Sequence, residues 1–85
     1  MDNPLEMKNK YYEWSNEVFQ KSPFDLKTNN LLSLAVAMVM GNQGAVSYFY
    51  FSARKTGATP AELAAAADIV ASASGLNLYS LIPTE

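Results

Sequence analysis

Residues 31–42 read Leu31-Leu32-Ser33-Leu34-Ala35-Val36-Ala37-Met38-Val39-Met40-Gly41-Asn42. Wound at 100° per residue, this stretch is apolar on almost every side, so it predicts a helix buried on several faces and central to whatever assembles. Gly41 and Asn42 interrupt it, because glycine and asparagine most readily take the left-handed conformation that ends helices. The helix is expected from about Thr28 to Met40, capped by Asp25 or Thr28. Its apolar run, with Ser33 inside it, is too short to span a bilayer.

Toward the N-terminus, residues Ser22 to Lys27 read as a linker broken by Pro23. Before it, Asn3, Pro4 and Glu6 have the order of an N-cap, a first-position proline and a capping-box glutamate. Met7, Tyr11, Trp14 and Val18 then recur at steps of four and three, which places them on one helical face. That helix is expected to end near Lys21. Glu13 and Glu17 lie four apart and read as solvated, while Tyr11, Tyr12, Trp14 and Phe19 read as core or interface.

Toward the C-terminus, a third helix is expected from Gln43 to Thr56. Its run Tyr48-Phe49-Tyr50-Phe51 sets consecutive rings about 100° apart, so no single face holds them all. The helix is then either buried on several sides or engaged with another subunit. Arg54 and Lys55 precede Gly57, where cations complement a helix C-terminus. Thr59, Pro60 and Glu62 form the clearest helix start in the chain. Alanine-rich sequence follows to Ser74, with Gly75 expected as its stop and Leu76 to Ile82 as a short extra turn or packing tail before Pro83. The fold class is therefore all-α: a small bundle of four main helices and a short C-terminal one. Residues 1–22 are expected to form a helix packing on a core of residues 23–85, the whole being one structural domain.

The chain has 85 residues, near the lower limit for a self-sufficient core, with 49% apolar and only 16% charged residues. Such a balance predicts apolar surface that meets another subunit. The formal net charge is −2 and the six basic residues are scattered, which argues against a nucleic-acid partner, since phosphate binding needs a basic patch. Cysteine and histidine are both absent. Disulfides, thiolate nucleophiles, imidazole bases and the usual zinc and copper sites are thereby excluded, and no metal or cofactor is expected. The start MDNPLE has neither the basic segment nor the apolar stretch of a signal peptide, so the expectation is a cytoplasmic protein without a membrane partner.

From Asp25 to Ala71 the sequence resembles the carboxymuconolactone decarboxylase and alkyl hydroperoxidase D-like family. Leu26, Lys27, Thr28, Leu31, Leu34, Ala35, Val36 and Ala37 reproduce the first family word without gaps. Gly41 and an aromatic at Tyr48 remain from the second, and Gly57, Ala58, Thr59 and Glu62 from the third. The resemblance implies the family's helical fold and its rings of three or six subunits. In redox-active members a glutamate on the central helix, acting through water and a histidine, activates a thiol pair at the start of the next helix. The ungapped register places that glutamate on Asn30, the two cysteines on Asn42 and Ala45, and the histidine on Phe49. A thiol lowers its pKa at a helix N-terminus with a base nearby, and none of those components is left. The decarboxylase branch does without the cysteines but looks to retain the histidine, and a phenyl ring moves no proton.

Asn30, Asn42, Gln43 and Tyr48 are the candidate ligand-binding residues of the remnant site. One reading makes them hydrogen-bonding groups for a small polar or anionic ligand near the third helix's free amides. The other makes Asn42 a helix boundary and lets Asn30 bond across the helix pair. Asp68, among alanines, has no evident partner in the sequence. The leading functional expectation is a non-catalytic, self-associating family member with a structural or small-ligand-binding role. The alternative is a thiol-independent decarboxylase or isomerase using Asn, Tyr or Asp residues. A peroxidase working with an external thiol is the weakest reading, since no cysteine is present to form a sulfenic acid.

Overall fold

The structure, a computed structural model, describes residues 4–83. Among these residues there are four helices and no strand: α1 (Glu6–Lys21), α2 (Leu26–Met40), α3 (Gln43–Lys55) and α4 (Pro60–Ser80). The substantial helix–helix contacts are α2 with α3 and α2 with α4. The continuous apolar run thus becomes the central helix, packed against both α3 and α4.

Local chemistry accounts for the boundaries. The Asp25 carboxylate accepts from the Thr28 amide at 2.7 Å, so α2 begins at Leu26, two residues earlier than Thr28. Gly41 closes α2 in the left-handed conformation with φ 69°, where a side chain would be strained. Asn42 caps α3 by accepting from the Ala45 amide at 3.1 Å. Thr59 and Glu62 complete the reciprocal capping box at the start of α4, with bonds of 3.1 and 2.9 Å.

Two expected boundaries are corrected. Gly75 does not stop α4, which runs through it to Ser80 and absorbs the separate short turn expected at Leu76 to Ile82. Only Gly41 and Gly57 among the glycines take positive φ, and the residues following Gly75 supply no breaker until Pro83. A glycine inside a helix costs about 1 kcal/mol but does not by itself terminate it. At the other end of the chain, Pro4 is not the first residue of α1. Leu5 is its cap, without a side-chain bond, and Asn3 lies outside the described residues.

The core is small. Leu34, Ala53, Ala58 and Leu63 form the buried cluster, with Leu31, Met38, Val46 and Phe49 packed partly buried against it. Three of these eight side chains are no larger than valine, so little apolar area leaves water inside one chain. The segment expected to pack on the core, residues 1–22, meets it near the last turn of α1, where the Asn29 side-chain amide donates to the Phe19 carbonyl at 3.3 Å. No residue of α1 is buried, and Met7, Tyr11 and Trp14 are exposed.

The dimensions follow from that packing. The Cα radius of gyration is 16.4 Å, against about 12 Å for a compact domain of this length. The accessible surface is 6949 Å² for 9.3 kDa, whereas a compact monomer of that mass exposes about 5,000 Å².

Candidate functional site

On the face of α3 that meets α2, Val46, Phe49 and Ala53 pack with Leu34, and Ser52 and Thr56 lie at the C-terminal end. Because α2 and α3 run antiparallel, the start of α2 lies opposite the end of α3. Asn30 is therefore set against Ser52 and Thr56. Its side-chain amide donates to the Thr56 hydroxyl at 3.2 Å and to the Ser52 carbonyl at 3.4 Å. Asn30 is 7% exposed, and this bonding offsets the cost of burying an amide.

Asn30, Tyr48 and Phe49 come together in one groove of about 330 Å³, completed by Asn16, Phe19, Leu26, Ser52, Lys55 and Thr56. Tyr48 meets Phe49 edge-on, with ring centroids 5.1 Å apart. Phe49 also packs against the buried cluster, so its ring serves the core. Among the described residues, Lys55 is the cation of the groove and no carboxylate lines it.

Asn42 and Gln43 do not join this groove. They lie at the opposite end of α3, about 10 Å from Phe49 along the helix axis. Asn42 is exposed and its side-chain oxygen is used in the cap; Gln43 is exposed in the first turn. Ala45 is half-buried one turn into α3, three residues from Asn42. Asp68 is exposed on α4 and lines no part of the groove.

Asn16, Phe19, Ser52, Lys55 and Thr56 are absent from the sequence-based candidates. The recurrence of Phe49, Ser52 and Thr56 at steps of three and four was the available signal for the last of these. The contribution of Asn16 and Phe19 depends on the direction in which α1 leaves the linker, which no periodicity encodes.

A second cleft, of about 320 Å³, opens between α2 and α4 and is lined by Leu31, Leu32, Ala35, Ala65, Ala66 and Ile69, with Thr28 and Glu62 at one end. There Lys27 pairs with Glu62 at 2.9 Å. The Glu62 carboxyl is held below its ordinary range by the Thr59 amide first and by Lys27 second. The Lys27 ammonium is raised in turn by its hydrogen bond to Glu62, and Asp25 is lowered by its bonds from Thr28. These groups fasten helix ends, and each has its partner. Among the described residues no three carboxylates gather into a metal-binding group.

A family model described as the carboxymuconolactone decarboxylase family matches residues 6–80. Comparison with curated proteins and with solved structures returns no match. The family match spans all four helices, from the first residue of α1 to the last of α4, and the chain belongs to the carboxymuconolactone decarboxylase family.

Proposed function

We propose that this chain is a non-catalytic, self-associating member of the family, acting as a structural or small-ligand-binding module in the cytoplasm. The observation that carries the non-catalytic reading is Phe49. The residue standing where the family places its proton-transferring imidazole is a phenyl ring packed against the buried cluster, and the chain has no cysteine or histidine to replace it. Self-association is supported by the large accessible surface and by the exposed apolar side chains on every helix. A ring of three or six subunits is the form that the family resemblance suggests.

The groove at Asn30 and Tyr48 supports a ligand-binding role. It offers amide, hydroxyl and ammonium groups beside aromatic walls, a chemistry suited to a small polar or anionic molecule. Asn42 and Gln43 would serve such a ligand only from a separate position at the start of α3. Light scattering on the purified chain at micromolar concentration is expected to give a mass above that of a monomer, and a hydroperoxide assay to stay at the buffer blank. A stable monomer overturns the assembly reading; peroxide turnover overturns the non-catalytic one.

One observation favours the second reading, a thiol-independent decarboxylase or isomerase. Tyr48 and Lys55 share the groove with Asn30 and bring titratable groups to it. Asp68 lies elsewhere, so among the described residues no carboxylate joins that arrangement. Turnover of a lactone and keto-acid panel that Asn30→Ala abolishes would establish this reading in place of the first.

A further inference from the structure

Helix α1 has 16 residues and buries none of them. In proteins most of a helix's stability comes from packing of its amphipathic face rather than from intrinsic propensity. Its surface pairs Glu6–Lys10 at 3.4 Å and Glu17–Lys21 at 2.6 Å are solvent-exposed and add little to that stability. Yet one face presents Met7, Tyr11, Trp14 and Val18, with Met7 72% and Trp14 60% exposed. A stripe of this kind normally gains its stability by being covered.

The cleft between α2 and α4 has the complementary character. Ala35, Ala65 and Ala66 make a shallow apolar floor, and Leu32 and Ile69 line the cleft while remaining more than half exposed. The α2 wall continues through exposed Val36 and Val39, so Leu32, Val36 and Val39 repeat at the same steps of four and three as the α1 stripe. Small residues on the floor let a third helix approach closely, and equal ridge spacing lets side chains interdigitate.

The elbow between α1 and α2 directs α1 away from the cleft of its own chain. The Ser22 hydroxyl donates to the Asn29 side-chain oxygen at 2.7 Å, the Phe24 amide donates to the Ser22 hydroxyl at 3.1 Å, and the Asn29 amide holds the Phe19 carbonyl. Asn29 is buried, and Pro23 stiffens the same linker. With its path fixed, α1 makes no substantial contact with α4.

We propose that the Met7–Val18 stripe of α1 seats in the α2–α4 cleft of a second copy of this chain. The proposal rests on the self-association put forward above and adds the surfaces that meet. The area agrees with it: the chain exposes about 2,000 Å² more than a compact monomer of its mass. Obligate assemblies bury about 2,000 Å² or more in total, so covering α1 and the cleft on each copy meets that need.

Trp14 is the single tryptophan of the chain, so its fluorescence reports the seating directly. In the full-length protein, light scattering and Trp14 emission are followed together on dilution, with acrylamide quenching at each concentration. The expected result is a blue-shifted, shielded indole in the assembly that becomes exposed as the mass falls to that of a monomer. A monomer at all concentrations overturns self-association and this seating with it. A stable assembly whose Trp14 stays fully quenchable overturns the seating alone. Ile69→Asp and, independently, Val36→Lys alter exposed cleft residues and are checked for retained helicity by circular dichroism; each is expected to expose Trp14 and lower the mass. Helical variants that still assemble with Trp14 shielded would overturn the cleft as its seat.

Discussion

Phe49 is a half-buried ring that packs against the cluster of Leu34, Ala53, Ala58 and Leu63. Its ring closes the α2–α3 contact, and neighbouring Asn30 spends its amide on Ser52 and Thr56. Removing that amide in Asn30→Ala is expected to cost about 1–3 kcal/mol in urea unfolding, the penalty for a buried polar pairing lost. Leu34, 3% exposed at the centre of the cluster, has few large neighbours to collapse into its place. Leu34→Ala is therefore expected to lower stability by about 2–5 kcal/mol in the same measurement. Asn42 is a cap, and Asn42→Ala is expected to cost about 1 kcal/mol without changing the groove at Asn30. A larger loss, or ligand binding that vanishes with Asn42, would give this residue a second role.

At the scale of elements, the α2–α4 contact depends on helix ends. Glu62 closes the capping box and pairs with Lys27 across the two helices. Because the folded state depresses the Glu62 carboxyl, its contribution is present above the ordinary carboxylate value and is lost as pH falls below about 4. The raised Lys27 ammonium acts in the opposite sense. Its contribution is present below the ordinary lysine value and is lost as pH rises beyond about 10.4. Thermal unfolding is thus expected to show a plateau between these limits, and Glu62→Gln is expected to flatten both flanks. A flank unchanged in that variant would locate the titration elsewhere. Asp25, lowered by Thr28, contributes to the acid flank as well.

The molecule as a whole is 60 × 35 × 25 Å, an elongated shape for 85 residues. A chain that completes its core by association becomes more stable as its concentration rises, since mass action favours the assembled state. The midpoint of thermal unfolding is expected to increase with protein concentration over the micromolar range. A concentration-independent midpoint would show that each copy is stable by itself.

Much of this architecture was legible in the sequence because it depends on neighbours along the chain. Asp25, Asn42, Thr59 and Glu62 announce helix starts by the bonds their side chains make within three residues, and Gly41 announces an end by its permitted backbone. The run from Leu31 to Met40 requires a central helix whatever surrounds it. Gly75 misled because a glycine permits a stop without requiring one. Within the site, the sequence by itself determined that thiol and imidazole chemistry are absent. Only the tertiary structure decided which candidates share a groove: antiparallel packing of α2 and α3 sets Asn30 opposite Thr56 and leaves Asn42 and Gln43 at the far end. The direction of α1 was likewise decided in three dimensions. It is fixed by Ser22 and Phe19 meeting Asn29, contacts between residues seven and ten apart, whereas the sequence of α1 specifies only an amphipathic stripe.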